Sequence, residues 1–291
     1  MIIPKNDQIK AAVLLCFLTV TSFFSPTALT QEEAPHRIIS LAPHITELLF
    51  AVGAGDAIVG TVSFSDYPIE AEAIPRIGSA DQINFEQILA LKPTLIFGWQ
   101  SGNGEEALNR LRSLDLSVHS HEPKSLEDVL QSLKRYGELT GNTKQGLAAA
   151  EQFQLRLEQL QQRYEHQTPM RVFYQLWHEP KMTINDKHLI SDVIRLCGGT
   201  NVFGDAIPLV PTVNIETVIQ RAPEVIFASG IGGERPTWLD DWNQWPSIPA
   251  VENEQLFHIH PDFLHRHSPR ILDGAEQMCE HLNQARATSQ R

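Results

Sequence analysis

One fourteen-residue pattern occurs twice in this chain, 130 positions apart. Asn84-Phe85-Glu86-Gln87-Ile88-Leu89-Ala90-Leu91-Lys92-Pro93-Thr94-Leu95-Ile96-Phe97 recurs as Asn214-Ile215-Glu216-Thr217-Val218-Ile219-Gln220-Arg221-Ala222-Pro223-Glu224-Val225-Ile226-Phe227. Asn, Glu, Pro, Ile and Phe are identical and most other positions keep their character. Each copy predicts an Asn N-cap, a short amphipathic helix, a Pro break and a buried apolar strand. A looser pair precedes them in the same order. Ile45-Thr46-Glu47-Leu48-Leu49 runs to Gly53, and Ile190-Ser191-Asp192-Val193-Ile194 runs to Gly198. A duplicated helix–strand order limits the chain to two similar α/β lobes with central, mostly parallel sheets. The plainer alternative is that any two helix–strand units resemble one another.

Between the copies lies a stretch that nothing interrupts. Over residues 143–166, Leu147, Ala150, Phe153, Leu157, Leu160 and Tyr164 recur at spacings of three and four, with Gln, Glu and Arg between them. That is helical periodicity in good helix formers, and it would span about 36 Å, more than one small domain needs. The expected division is a first lobe over 35–142, a connecting backbone helix over 143–166 and a second lobe over 170–286. In the first lobe, strands are expected near 37–41, 58–62, 95–97 and 117–120. In the second they are expected near 171–176, 225–227 and 255–259, with helices at 189–196, 238–245 and 270–285 and a loop over 260–269.

Residues 1–30 predict a cleavable export signal. Lys5 and Lys10 precede an apolar run over 11–24, and small residues follow at Pro26-Thr27-Ala28. The run is shorter than a membrane span. Cys16, between Leu15 and Phe17 inside it, is expected to leave with the signal. Export places Cys197 and Cys279 in an oxidising compartment, where an even pair argues for one disulfide; two buried free thiols are the alternative. The full chain carries a net charge of −12 with its basic residues scattered, which argues against nucleic acid or an anionic membrane surface as partner.

In open α/β sheets, ligands bind beyond the carboxyl ends of the strands. That rule selects the loops 64–68, 99–104, 177–180, 229–233 and 262–266, which carry Phe64, Tyr67, Trp99, Trp177 and Phe263 among glycines and a few polar groups. Facing lobes would line one cleft suited to a large, flat, partly apolar ligand. A Trp at a strand end is otherwise simply packing. Of the 12 histidines, His258, His260, His265 and His267 fall close enough to suggest zinc or manganese, although no Cys or HExxH pattern accompanies them. No nucleophile or phosphate-loop motif is present, so hydrolysis has little to rest on. Asp66 and Asp262 could pair as carboxylates, but no spacing brings them together. Glu86 and Glu216 each sit in the first turn of a repeated helix, where a negative charge favours the helix dipole. Duplication adds that the two lobes present equivalent acids, which would suit a partner with two symmetric basic sites.

Several motifs together resemble a known family. They are Arg37-Ile38-Ile39-Ser40-Leu41-Ala42-Pro43 with Thr46-Glu47-Leu48, Ser65-Asp66-Tyr67-Pro68, Asn84-Phe85-Glu86 with Leu91-Lys92-Pro93, Trp99 with Gly102-Asn103, Cys197-Gly198-Gly199 and Ser268-Pro269-Arg270-Ile271. The chain is similar to the periplasmic cobalamin-binding proteins of bacterial vitamin importers, within the helical-backbone class of ABC-transporter substrate-binding proteins. The resemblance implies a non-catalytic carrier, monomeric when free, that holds cobalamin as transported ligand rather than cofactor. The ligand would lie between the lobes against Phe64, Tyr67, Trp99 and the loop Asp262, Phe263, Leu264, His265, Arg266. It also implies that Glu86 and Glu216 dock onto permease arginines and that Cys197 pairs with Cys279. Against the family pattern, Phe64 stands where a tyrosine is expected, Ala80 and Val210 stand where tryptophan can occur, and His265 replaces an acid beside Arg266. The same framework carries haem and ferric-siderophore binders. For a haem ligand, His178, His265 and Tyr67 would be the axial candidates.

Overall fold

The structure is a computed structural model that describes residues 36–289 apart from residue 231. The expected export signal, residues 1–30, lies outside the described residues. The first lobe comprises β1 (Ile38–Ser40), α1 (Pro43–Ala51), β2 (Ile58–Thr61), α2 (Phe85–Leu91), β3 (Leu95–Trp99), α3 (Gln100–Asn103), α4 (Glu105–Ser113), β4 (Val118–His121) and α5 (Leu126–Leu139). Helix α6 (Thr143–Tyr164) follows. The second lobe comprises β5 (Met170–Gln175), α7 (Leu189–Leu196), β6 (Gly199–Asn201), α8 (Ile215–Arg221), β7 (Val225–Ala228), α9 (Pro249–Glu252), β8 (Leu256–His258), α10 (Pro261–Leu264) and α11 (Ile271–Ser289). Each lobe has a four-stranded sheet, ordered β2-β1-β3-β4 in one and β6-β5-β7-β8 in the other. Every pairing is parallel. The two lobes therefore repeat one topology strand for strand.

The duplicated unit explains itself locally. Asn84 Oδ1 accepts from Gln87 N at 3.1 Å and Asn214 Oδ1 from Thr217 N at 2.9 Å, so both helices start on an Asn cap. Both end on a left-handed residue, Lys92 at φ 46° and Ala222 at φ 45°, immediately before a proline that cannot extend the helix. Arg37 and Arg171 open the neighbouring strands and donate from Nε to Leu91 O and Ala222 O, both at 2.9 Å, which satisfies a terminal carbonyl in each copy.

Strand alternation sends one face of each sheet to a shared core and the other to a private one. Ile38, Phe97, Val172, Tyr174, Val225 and Phe227 join a single apolar cluster that also takes in α1, α5, α6, α7 and α11. Ile39, Leu41 and Ile96 face a separate cluster in the first lobe, as do Phe173, Ile226 and Ala228 in the second. The largest core is thus continuous from one lobe to the other. The buried stripe of α6 is Gly146, Ala150, Phe153, Leu157, Leu160 and Tyr164. Leu147, expected in that stripe, is 53% exposed because Gly146 takes the contact position. A Cβ on Gly146 would fall 2.8 Å from the Cα of Gly137, so α5 and α6 cross at backbone distance. At its far end α6 is tied to α11, with Arg156 donating to Asp273 at 2.5 Å and to Glu276 at 2.9 Å.

Cys197 and Cys279 form a disulfide that joins the end of α7 to α11. Three local expectations are corrected. Strand β6 was not anticipated, because three residues beside two glycines carry no periodicity. The helix expected over 238–245 is a 3-10 turn at Thr237–Gln244. The loop over 260–269 contains α10, capped by His260, whose Nδ1 accepts from Asp262 N at 3.1 Å.

Candidate functional site

The carboxyl ends of the two sheets meet. In the first lobe a chain of buried hydroxyls sets the rim: Ser40 Oγ to Thr46 Oγ1 at 2.8 Å, Thr46 to Thr61 Oγ1 at 2.8 Å, and Thr61 to Ser65 Oγ at 2.9 Å. Arg76 holds the same loop from behind, donating to the carbonyls of Ser65, Ala71 and Ile74. On this base Phe64 stands 77% exposed with φ 64°, a left-handed backbone that a bulky residue adopts only under local constraint. Tyr67, three residues on, is 46% exposed.

Trp99 is fixed from three sides. Its backbone N donates to Asn103 Oδ1 at 2.6 Å, its Nε1 donates to Glu122 Oε1 at 3.1 Å, and its ring meets His44 edge-on at 5.2 Å. Gly102 lies under the ring, where a Cβ would come within 1.9 Å of it. Buried Asn103 extends the scaffold by donating to Leu41 O and Ala80 O, both at 2.8 Å.

The second lobe answers with the segment 265–270. Arg266 Nη1 donates to Asp66 Oδ1 at 2.7 Å and to Glu47 Oε1 at 2.9 Å, both in the first lobe. Its Nη2 reaches Asp262 Oδ1 at 2.8 Å. Glu47, in α1, also accepts from Ser268 Oγ at 2.6 Å and Arg270 Nη1 at 3.2 Å. The Arg270 guanidinium lies 4.0 Å from the Tyr67 ring centroid and 5.0 Å from that of Phe263, so it packs on one aromatic ring from each lobe. Burial pushes the Glu47 carboxyl up against the pull of Ser268, Arg266 and Arg270. Burial would also raise Asp66, but the hydrogen bond and charge of Arg266 outweigh it and hold that carboxyl below its ordinary range.

Beneath the clasp sits a group of imidazoles. His267 of the second lobe packs 5.5 Å from His44, 6.2 Å from Trp99 and 6.1 Å from His188, ring centroid to centroid. His265 Nε2 lies 3.0 Å from the Tyr174 hydroxyl, which also meets Ser229 Oγ at 2.7 Å. Burial keeps these rings neutral, lowering His44 to about 3, His188 to about 4 and His265 to about 4, with His267 well below its ordinary value. The four histidines singled out from sequence are divided: His267 packs on His44 of the first lobe, His265 on Tyr174, His258 ends β8, and His260 caps α10 beside Phe263. Among the described residues no group of three or more His, Cys, Asp or Glu is placed to hold a metal ion.

Of the residues singled out from sequence, Tyr67, Phe263, Asp262 and Arg266 come together at the clasp, and His265 sits against Tyr174. Leu264 does not join them; it is fully buried in the shared core and has no surface to offer a ligand. Glu86 and Glu216 are exposed in the first turns of α2 and α8. Each helix leads back from the carboxyl end of its sheet to the start of the next parallel strand, so both acids lie at the same end as the rim loops. Sequence reasoning missed Glu47, His44, His188 and Glu122. The available signal for Glu47 was a lone acid within the apolar run 45–52.

Two α/β lobes of one topology, meeting at their strand ends and braced by one long helix, define a bilobal ligand carrier. Residues 38–263 match the family described as periplasmic binding protein, and the chain belongs to that family. It is 37% identical over 261 residues to a vitamin B12-binding protein of Vibrio cholerae serotype O1, covering 89% of this chain and 94% of that one. Among solved structures, the periplasmic vitamin B12 binding protein of Vibrio cholerae superposes with a TM-score of 0.80 at 37% identity, covering 87% of this chain and 98% of that one. A periplasmic heme-binding protein from Roseiflexus sp. RS-1 shares the fold, with a TM-score of 0.77 at 24% identity over 87% of this chain and 99% of that one.

Proposed function

We propose that this chain captures a cobalamin-type corrinoid in the periplasm, between its lobes, and delivers it unchanged to the permease of an ABC importer. The observation that carries this reading is the clasp: Asp66 and Tyr67 of one rim meet Arg266 and Arg270 of the other, so the aromatic loops of the two lobes confront each other across one slot. Phe64, Tyr67 and Trp99 supply apolar faces on one side and Phe263 on the other. Such walls suit a flat macrocycle. The likeness to the vitamin B12-binding protein of Vibrio cholerae supports the choice of macrocycle. Because one core runs through both lobes, closure on binding is small and the walls are pre-formed.

Delivery rests on Glu86 and Glu216. Both are exposed, neither is ion-paired among the described residues, and duplication sets them at equivalent points of the two lobes. Calorimetric titration with cyanocobalamin tests capture: saturable binding with one ligand per chain is expected, and no binding at micromolar ligand overturns it. The Glu86→Ala, Glu216→Ala double variant is expected to bind as the wild type does and to lose uptake. Normal transport by that variant removes the docking role.

A further inference from the structure

The strand-end rim carries more carboxylates than guanidinium or ammonium groups. Within the five strand-end loops the acids are Asp66, Glu179 and Asp262, set against one guanidinium, Arg266, and two imidazoles, His178 and His265, of which His265 is kept neutral by burial. The clasp places these charges unevenly. The side chains of Asp66 and Asp262 are 45% and 27% exposed, whereas that of Arg266 is 9% exposed. The guanidinium lies behind the carboxylates that it neutralises, with Nη1 on Glu47 and Asp66 and Nη2 on Asp262. Arg270, 19% exposed, lies over the rings of Tyr67 and Phe263. A further carboxylate, Glu122, accepts from Trp99 Nε1 and from Ser101 N at 2.8 Å. The bases flanking these loops are also engaged, Arg76 on three backbone carbonyls and Lys181 over the Trp242 ring at 5.7 Å.

We propose that this rim selects by the chemistry of the ligand's edge: it accepts macrocycles fringed with carboxamides, which donate hydrogen bonds, and refuses those fringed with carboxylates. This rests on the corrinoid reading and sharpens it. A carboxamide N–H can complete the open lone pairs of Asp66 and Asp262 without displacing Arg266. A ligand carboxylate brings like charge against those same oxygens and must unseat a clasped guanidinium to find a partner. Amidated corrinoids therefore fit, and corrinoids with free side-chain carboxylates, like the propionates of haem, do not.

The test titrates the full protein near pH 7.5 with cyanocobalamin, dicyanocobinamide, dicyanocobyrinic acid and haemin. Cobinamide keeps the amide fringe without the nucleotide, whereas cobyrinic acid keeps the macrocycle with free carboxylates. Cobyrinic acid is expected to bind at least about 30-fold more weakly than cobinamide, the scale of like-charge juxtaposition at an interface. The gap is expected to narrow as salt rises, since repulsion between accessible charges is screened. In Asp66→Asn and Asp262→Asn variants the ratio between the two ligands is expected to shrink. The salt series on the wild type stands in for them where a variant loses the clasp and does not fold. Equal affinity for cobinamide and cobyrinic acid, independent of salt, overturns the selectivity while leaving the corrinoid reading intact. Failure of cyanocobalamin and cobinamide alike to bind overturns both.

Discussion

Arg266 is the residue on which the two rims converge, since its guanidinium touches Glu47 and Asp66 in one lobe and Asp262 in the other. Below it, four imidazoles are held neutral by burial, which links stability to pH. The unfolded chain binds a proton on each near pH 6.5, while in the folded chain burial lowers His188 and His265 to about 4, His44 to about 3, and His267 well below its ordinary value. Their contribution is therefore complete above pH 6.5 and is lost as pH falls toward the folded values, on the order of 1–2 kcal/mol per ring at pH 5. Glu47, whose carboxyl burial pushes up, offsets part of this. Urea midpoints are expected to fall steeply between pH 7 and pH 5. The fall should be shallower in His188→Asn, which keeps an N-cap for α7, where His188 Nδ1 accepts from Ile190 N. A flat profile in the wild type contradicts the account of this interface.

At the scale of elements, α6 is the brace, and its position depends on the contact between Gly146 and Gly137. Gly146→Ala puts a methyl group 2.8 Å from two backbone atoms of α5, Gly137 Cα and Leu133 O, so overpacking costs about 2–3 kcal/mol, the upper part of its usual range. Better helix propensity returns about 1 kcal/mol, so chemical denaturation is expected to show a net loss of about 1–2 kcal/mol. A neutral or stabilising result would mean that the helices separate freely. The brace, the first sheet and three of the four strands of the second were legible in the sequence because their signals are periodic and local: a stripe at helical spacing, and a capped helix and strand written twice. The clasp was not. Glu47 and Arg266 are 219 residues apart, and no periodicity joins them. The sequence showed Asp66 and Asp262 as two unconnected carboxylates, and only the topology brings both to one guanidinium. Leu264 was misplaced for the converse reason, since its neighbours face the cleft while its own side chain caps the core.

In the whole molecule, one apolar cluster spans both lobes, Arg156 fastens α6 to α11, and the disulfide fastens α7 to α11. The two lobes are thus joined through a continuous core, with an ion pair tying α6 to the second lobe and a covalent link within that lobe. A groove of about 640 Å³ between β4 and α5 and one of about 660 Å³ beside α6 and α7 lie outside the slot, lined by no residue of the strand-end loops. No described helix is long and apolar enough to cross a membrane. Whether the facing rims hold a corrinoid is read from the absorption spectrum of the protein after incubation with cyanocobalamin and desalting. Corrin absorption is expected to elute with the protein at close to one ligand per chain. Protein that elutes colourless from cobalamin, yet carries a Soret band after the same treatment with haemin, would contradict it.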